Sequence, residues 1–219
     1  MPSIAIKNEA TSPVYVRAGI VFCLISALLA GCAGPRSAPA PERFDLGPAT
    51  PTAAATAPTA VPVWLAGVQA PSSLDGTHML YRLDYSNAQQ SRAYAQARWS
   101  MPVPELLEQR LRQRLSAKHA VLNPADGVQS RTQGVILRVE LEDFSQAFSA
   151  ADQASAQVRV RATLSTWRGG VEQLLAQRSF HAAQPCASAD APGGVRALST
   201  ATDQVLAELE RWLDATAAP

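Results

Sequence analysis

The stretch Val135-Ile-Leu-Arg-Val-Glu-Leu-Glu142 alternates a fully apolar face with a mostly charged one, with a period of two. This alternation is typical of a β-strand that buries one face and exposes the other to water. Residues 157–164 and 174–182 continue the same pattern, and the turn Arg168-Gly-Gly170 joins them. Three successive strands with short connections predict an antiparallel meander.

Amphipathic helices are predicted on both sides of this strand block. Upstream, Ser100 is a candidate N-cap for a helix whose first turn holds Pro102 and Pro104, where a missing backbone donor costs little. Apolar residues fall on one side of that helix: Val103, Leu106, Leu107, Leu111 and Leu115. Downstream, residues 192–214 place their apolar residues on one face: Val195, Leu198, Thr202, Val205, Leu206, Leu209, Trp212 and Leu213.

Charged residues of the upstream helix have different expected environments. Glu108 and Arg112 stand four residues apart, which favours an ion pair on the exposed face. Arg114 projects into the apolar side, so we expect its stem to run along the core or its charge to pair at the edge.

Weaker strand signals precede these elements. Residues 61–69 indicate an edge or initial strand, because Pro62 removes a backbone donor. Residues 78–84 indicate another strand, and the polar residues 86–90 a hairpin connection after it. Residues 92–99 fit a strand, although their alanines tolerate a helix equally well. The expected class is α+β, with a mostly antiparallel sheet, two amphipathic helices packed on one face, and a polar opposite face.

The amino terminus has the anatomy of an export signal. Lys7 and Arg17 precede an apolar, uncharged run that begins at Ala18 and ends in small residues. From Ala18 to Cys32 the run is shorter than the roughly 20 residues that span a bilayer, which disfavours a permanent transmembrane anchor. We therefore expect residues 1–31 to be removed.

The run ends in Leu29-Ala-Gly-Cys32, which is similar to the bacterial lipobox. Small residues admit a peptidase to an extended backbone, and only a thiol can form the thioether to lipid. Cys32 is therefore the candidate lipidation site, the alternative being an ordinary cleavage site beside an unrelated cysteine. Acyl chains contribute about 0.8 kcal/mol per buried CH₂, so three chains make a durable anchor. Ala33 favours the outer membrane, because an Asp after the lipidated cysteine tends to retain lipoproteins in the inner membrane.

Changes in amino-acid composition along the sequence divide the mature chain into a tether, a domain and a tail. Residues 32–41 read as the lipidated cysteine and a flexible tether, residues 42–215 as a single domain with a Pro/Ala/Thr-rich loop at 48–60, and residues 216–219 as a disordered tail. Residues 42–47 could form a short strand. If that strand docks, the tether has about nine residues and reaches roughly 28 Å; if it does not, the reach is roughly three times greater.

Charge and cysteine content exclude several functions. Of 19 basic and 18 acidic residues, 17 of each remain after the signal is removed, so nothing favours nucleic-acid binding. Cys23 leaves with the signal and Cys32 is expected to carry lipid, so Cys186 is the sole remaining thiol and no intrachain disulfide can form. Cys186 lies in a predicted loop, where it could be tolerated, form an intermolecular bridge or act as a nucleophile.

Motifs for catalysis are missing from the sequence: it contains no GxSxG, Walker, Rossmann or HExxH pattern. The histidines, His78, His119 and His181, fall in different elements, and we expect solvated or boundary positions for them. Carboxylates at 140, 142 and 143 fit a solvated strand face better than a catalytic dyad. Trp99 fits a core position before a helix, while Arg92 and Arg98 beside it could contact lipid headgroups or a partner. No catalytic residue, cofactor site or metal site is predicted.

Several of these features occur in an order that resembles one known family. The order is the lipobox, Arg43-Phe-Asp-Leu46, Ala70-Pro71, Leu74-Asp-Gly-Thr-His-Met-Leu-Tyr-Arg82, Arg98-Trp99, the strand block and Leu209-Glu-Arg-Trp-Leu213. Over residues 28–215 the chain resembles the ABC-type transport auxiliary lipoproteins, which include PqiC-like and cholesterol-transport auxiliary components. Phe44 and Asp45 stand where members often carry a Tyr-rich strand.

The resemblance implies a non-enzymatic outer-membrane lipoprotein that faces the periplasm. Its partners would be a mammalian-cell-entry (MCE) domain protein and the ATPase and permease of an ABC transporter that moves phospholipid or sterol-like lipid. Further copies of the chain are another expected partner. Two other hypotheses remain open: an assembly lipoprotein that accompanies an outer-membrane translocon, and a periplasmic hydrolase.

Overall fold

The computed structural model describes residues 39–48, 61–123 and 134–217. The elements in these ranges follow in the order β1 (Glu42–Phe44), β2 (Val63–Gln69), β3 (His78–Leu83), α1 (Asp84–Asn87), β4 (Ala88–Trp99), α2 (Val103–Leu115), β5 (Val121–Leu122), β6 (Val135–Ala150), β7 (Gln153–Arg168), β8 (Val171–Pro185) and α3 (Ala191–Ala217). The expected signal peptide, Cys32, loop residues 49–60 and residues 218–219 lie outside the described residues.

The antiparallel meander is confirmed. β6 pairs antiparallel with β7, and β7 pairs antiparallel with β8, through strands that are longer than the alternating stretches of sequence. The other edge of β6 is shared, because its first half pairs in parallel with β2 and its second half in parallel with β3. β5 adds to β2, while β4 pairs antiparallel with β3. The result is α+β, with an eight-stranded, mixed but mostly antiparallel sheet.

The prediction of an edge position for residues 61–69 was wrong. β2 lies between β5 and β6 and makes ladders with both. Pro62 does not interrupt these ladders because it precedes the strand, and its carbonyl accepts a hydrogen bond from Val135 N at 3.0 Å. A proline just before a strand therefore leaves the strand free to be central.

The connection between β3 and β4 also differs from the prediction. The short helix α1 joins the two strands, and β4 begins at Ala88, inside the segment predicted as a polar connection. Residues 92–99 are strand, so the helical alternative for them is excluded.

Helix α2 begins at Val103, with Pro102 in the N-cap position and no side-chain cap. The expected Ser100 cap is therefore wrong. Ser100 instead donates its backbone N–H to Phe44 O at 2.7 Å, which ends the β1–β4 pairing before the helix starts. Pro104 lies in the first turn, as the sequence predicted.

Helix α3 packs on the meander by one face, and α2 packs on β2 and on α3. α3 runs to Ala217, slightly beyond the predicted end, so Thr216 and Ala217 belong to the helix. Asp190 lies at its amino end, where Oδ1 accepts the backbone N–H of Gly193 at 2.7 Å. The core fills the space between both helices and the inner sheet face, and its largest fully buried side chains are Trp99, Phe144, Leu65, Met79, Leu107, Leu111, Leu115, Leu137, Leu141, Leu164, Leu198 and Leu206.

The opposite face of the meander carries ion pairs between strands. Arg138 pairs with Glu172, whose carboxylate also accepts a hydrogen bond from the Ser165 hydroxyl at 2.5 Å. Arg161 pairs with Glu142. These contacts place the charged residues of the alternating pattern on the polar side of the sheet.

Candidate functional site

The first strand of the described chain is docked on the sheet. β1 pairs in parallel with the last residues of β4, so that Glu42 lies opposite Ala97 and Phe44 opposite Trp99. The sequence left docking open, and the structure resolves it for residues 42–44. The residues that directly follow the predicted tether, 42–44, are therefore part of the sheet.

A buried arginine holds the residues that follow β1. Arg110 on α2 has only 6 % of its side chain exposed. Its Nη2 donates to Leu46 O at 3.1 Å, and its Nη1 donates to Gly47 O at 3.0 Å. On α3, Ser199 Oγ donates to the same Leu46 carbonyl at 2.6 Å. The backbone of this segment is therefore bound by both helices.

The charge of Arg110 is balanced on the helix that faces it. Arg110 Nε lies 2.8 Å from Asp203 Oδ1, and Nη2 lies 3.2 Å from Asp203 Oδ2. A buried guanidinium is tolerated only when its charge and its donors find partners. We call Arg110, Asp203, Ser199 and the Leu46–Gly47 backbone the anchor clamp.

Sequence reasoning missed Arg110, although the signal for it was present. It stands four residues after Leu106 and three after Leu107, within the apolar stripe of α2. A charged residue at such a position requires a partner from another element. The partner, Asp203, is 93 residues away in sequence, and no local pattern identifies it.

A second ionic cluster joins the carboxyl ends of α2 and α3. Arg114 Nε pairs with Glu210 Oε2 at 2.7 Å, which confirms pairing for Arg114. Lys118 Nζ lies 3.0 Å from Glu210 Oε1 and 3.3 Å from Asp214 Oδ2. Hydrogen bonding to Glu210 raises the pKa of Lys118. This cluster fixes the helices to each other at the end remote from Asp190.

His119 lies in the same cluster, and the expectation of a solvated or boundary position is wrong for it. Its side chain is 2 % exposed. Nε2 lies 2.8 Å from Asp214 Oδ1, and Nδ1 lies 3.0 Å from Val61 O. Because both partners are acceptors, the ring donates to both only when it carries two protons. His119 therefore has a structural role, linking the start of β2 to α3.

A third polar group lies under the amino end of α3. Gln146 is fully buried; its Oε1 accepts the Tyr94 hydroxyl at 2.8 Å, and its Nε2 donates to Asp190 O at 3.2 Å. Burial raises the pKa of Tyr94 to about 12. A hydrogen bond from Ser188 and the backbone N–H of Gly193 lower the pKa of Asp190.

Cys186 and His181, the two residues of the hydrolase hypothesis, have separate partners. Cys186 Sγ accepts a hydrogen bond from Gln146 Nε2 at 3.5 Å, and burial raises the pKa of this thiol. His181 Nε2 lies 2.9 Å from Gln157 Oε1 on the exposed face of β7 and β8. A raised pKa disfavours the thiolate that a cysteine nucleophile requires. Among the described residues no group of three or more histidines, cysteines and carboxylates could hold a metal ion.

Arg92, Arg98 and Trp99 do not form one site. Arg92 binds the Gln90 side chain, with Nη2 2.6 Å from Oε1. Arg98 donates to the carbonyls of its own strand, including Ala97 O at 2.8 Å. Trp99 is 1 % exposed and packs edge-on against Phe144, with ring centroids 5.4 Å apart, which confirms its core position.

The carboxylates at 140 and 142 border a groove where β2 and β3 diverge along β6. It has a volume of about 440 Å³ and is lined by Gln69, Ala70, Pro71, Glu140, Leu141 and Glu142. Glu142 pairs with Arg161, and Asp143 pairs with Arg82 at 2.8 Å. These pairs are structural, and they do not form a carboxylate dyad.

Comparison with known protein families assigns the chain to one of them. Residues 44–210 match the family described as ABC-type transport auxiliary lipoprotein component. The chain belongs to this family. The match begins in β1 and ends in α3, so it includes every residue of the anchor clamp. No curated protein matches the sequence.

Solved structures share the fold of this auxiliary lipoprotein. The Xanthomonas campestris protein XCC0632 has a TM-score of 0.61 at 21% identity, covering 81% of this chain and 94% of its own. An uncharacterized protein has a TM-score of 0.60 at 16% identity, covering 80% and 99%. The hypothetical protein CT253 of Chlamydia trachomatis has a TM-score of 0.50 at 8% identity, covering 73% and 99%.

Family membership makes this chain an auxiliary lipoprotein of an ABC transport system. Within the described residues, no helix is both long and apolar enough to cross a bilayer. The anchor clamp lies within the matched residues and binds the segment that directly follows β1.

Proposed function

We propose that this protein is a non-enzymatic lipoprotein of the outer membrane that docks a periplasmic MCE-domain protein of an ABC lipid transporter. Cys32 is its lipid anchor. The cargo is a phospholipid or a sterol-like lipid, and the ATPase and permease of the same system complete the set of partners.

The observation that carries the proposal is the anchor clamp. β1 is paired to β4, and Arg110 and Ser199 bind the backbone of Leu46 and Gly47 directly after it. A domain that only needed to remain near a membrane could be attached through an undocked linker. A docked strand fixes the place on the domain at which the tether begins and keeps the tether short, which suits a subunit that holds a partner close to the membrane.

A binding role, as opposed to catalysis, is supported by the partners of the reactive side chains. The thiol of Cys186 and the rings of His119 and His181 each have a structural partner on a different element. Function in such a domain resides in a surface.

Attachment to the outer membrane is supported by Leu29-Ala-Gly-Cys32 and by Ala33 after it. The MCE partner and the lipid cargo are what the family resemblance implies. The translocon and hydrolase alternatives have no feature among the described residues that favours them.

The test uses the full-length protein, carrying a carboxy-terminal affinity tag, in its own host. Wild type should incorporate a fatty-acid analogue, sediment with outer membrane and co-purify with an MCE protein. Cys32→Ala should lose the label and the membrane, and Ala33→Asp should keep the label but move to the inner membrane. Cys186→Ala, the control cysteine, should behave as wild type. If Cys32→Ala incorporated the fatty-acid analogue as well as wild type does, Cys32 would not be the anchor. If purified wild type brought no MCE protein with it, the docking role would be contradicted.

A further inference from the structure

The sheet has a long open edge at β8. This strand of 15 residues pairs with β7 on one side, and within the described residues no strand pairs with its other side. The opposite edge is partly covered, because β1 pairs with the end of β4. Backbone N–H and C=O groups at an open edge are a template for a further strand. We propose that β8 is a dimer interface, at which β8 of a second copy of the chain pairs antiparallel about a two-fold axis at Ser179.

The second half of β8 lacks most of the features that protect an open edge. Its ladder with β7 is regular from Ala176 to Pro185, after an irregularity at Leu175. Before Pro185 this stretch contains no proline, and Arg178 is its one arginine, lysine or carboxylate. A charge on an edge strand often blocks pairing. Here the guanidinium lies 5.2 Å from the ring centroid of Phe180, so it is directed along its own strand.

The register with β7 determines which side chains point to each side of the sheet. Phe180 lies opposite Val160, and both are buried, so Phe180 and Arg178 point to the inner side, where α3 packs. A two-fold axis perpendicular to the sheet keeps the inner sides of both copies together, so one sheet continues through the dimer. The alternate residues of β8 are exposed and point to the outer side: Gln177, Ser179 and His181.

Pairing about Ser179 brings together side chains that are compatible. The facing pairs are Arg178 with Phe180, Gln177 with His181, and Ala176 with Ala182. Arg178 of one copy meets the ring of Phe180 of the other, which suits a cation–π contact. Gln177 and His181 can hydrogen-bond across the interface. No like charges face each other, whereas directly opposed like charges destabilise a strand pair.

Other centres on this segment fit less well. A centre at Phe180 opposes two rings that are each 3 % exposed and already packed within their own copies. A centre at His181 opposes two imidazoles, which repel each other when protonated. A centre at Gln177 brings the irregular residue Leu175 into the ladder. Ser179 is the centre at which the regular segment pairs with itself without these conflicts.

The inner side of the interface also offers apolar area. Trp212 of α3 packs edge-on against Phe180, with ring centroids 5.6 Å apart, and is only partly buried. Pairing about Ser179 brings Arg178 of the second copy beside these two rings. The dimer is therefore stabilised by side-chain packing as well as by backbone hydrogen bonds.

Cross-linking in membranes tests the position of the two-fold axis. Ser179→Cys is expressed as the full-length protein with Cys186→Ser, and the membranes are treated with a short thiol-specific cross-linker. Directly opposed residues of paired strands have Cβ atoms about 4.5 to 5.5 Å apart, so position 179 should give a covalent dimer. Ser91→Cys in the same background is the control, since Ser91 is an exposed serine on β4 at the other edge. It should give at least about tenfold less dimer.

Facing charges test the pairing in solution. In the double variant Gln177→Lys and His181→Lys, each lysine faces a lysine of the second copy. In the control, Gln177→Lys and His181→Glu, each lysine faces a glutamate. Both variants lose the same hydrogen bonds to Thr163 and Gln157, so a difference between them reports the facing charges. Sedimentation of the full-length proteins in detergent should give a dimer dissociation constant about tenfold higher for the first variant than for the second.

The outcomes leave the proposed function untouched, because neither experiment involves the MCE protein. The inference is overturned if position 179 gives no more covalent dimer than position 91. It is overturned as well if the two charge variants dissociate equally, or if the wild type sediments as a monomer at about 100 μM.

Discussion

Arg110 on α2 and Asp203 on α3 form an ion pair with Nε and Oδ1 2.8 Å apart, and the same guanidinium binds the carbonyls of Leu46 and Gly47. One side chain therefore joins three segments that are distant in sequence. Both helices are in turn packed on the core, so the segment that follows the docked strand is tied to both helices of the domain.

Removal of this guanidinium should loosen the docked strand. In Arg110→Met the stem is retained while the charge and the donors to Leu46 and Gly47 are lost, and Asp203 is left without its partner. We expect the soluble domain, residues 33–219, to lose about 3 kcal/mol of unfolding free energy. Arg112→Met, which removes an i,i+4 pair with Glu108 at the surface, should cost less than about 0.5 kcal/mol. Urea denaturation measures both.

Hydrogen exchange distinguishes loosening of the strand from general destabilisation. The increase in exchange rate from wild type to Arg110→Met should be larger for the amides of residues 42–47 than for those of any other described segment. Equal stability of the Arg110 and Arg112 variants would show that the anchor clamp does not hold the strand.

Gly194 should be intolerant of even a methyl group. A Cβ there would lie 2.4 Å from Oε1 of the buried Gln146, which accepts the Tyr94 hydroxyl. In an open helical position glycine to alanine stabilises by roughly 1 kcal/mol. We expect Gly194→Ala to have the opposite sign, with a loss of about 2 kcal/mol from overpacking. Gly76→Ala, whose Cβ would meet its nearest neighbour at 3.6 Å, is the control and should change thermal stability little.

Glu172 should make the sheet sensitive to acid. Hydrogen bonds from Arg138 and Ser165 lower the pKa of this carboxyl from 4.5 to about 2. Its contribution to stability is therefore fully present above pH ~4.5 and is lost as the pH falls towards 2. The difference in melting temperature between wild type and Glu172→Gln should shrink over this window. In an Arg138→Gln background, the effect of Glu172→Gln on the melting temperature should not change over this pH window. If the wild type and Glu172→Gln differed in melting temperature as much at pH 2 as above pH ~4.5, the role of the pair would be contradicted.

The thiol of Cys186 should react slowly with electrophiles. Burial raises its pKa, and its Sγ accepts a hydrogen bond from Gln146. The control is the double variant Ser91→Cys and Cys186→Ser, whose single thiol of the mature domain is at an exposed position. At pH 7.5 we expect maleimide to react with Cys186 of the wild type at least about tenfold more slowly than with the cysteine at position 91 of the control. Labelling of Cys186 as fast as the exposed cysteine would restore the case for a nucleophile.

Local patterns in the sequence predicted the elements that repeat a period over many residues. The meander from Val135 onward and the apolar face of α3 were both found because one face of each is continuously buried. Trp99 was identified as a core residue because it lies just before an amphipathic helix.

Contacts over long sequence distances could not be predicted in this way. The parallel pairing of β2 and β3 with the two halves of β6 brings together segments more than 60 residues apart, and no periodicity encodes it. β5 has only two residues, too few to show a pattern. The anchor clamp was missed because its components come from β1, α2 and α3, although Arg110 alone marked its position.

The most direct test of the docking role is a binding measurement with purified components. The full-length lipidated protein, reconstituted in lipid nanodiscs, is titrated with the periplasmic part of an MCE protein from the same organism. We expect saturable binding with a Kd of about 10 μM or tighter, unchanged in Cys186→Ala. The absence of binding at about 100 μM, with the lipid anchor present and the domain folded, would contradict the account.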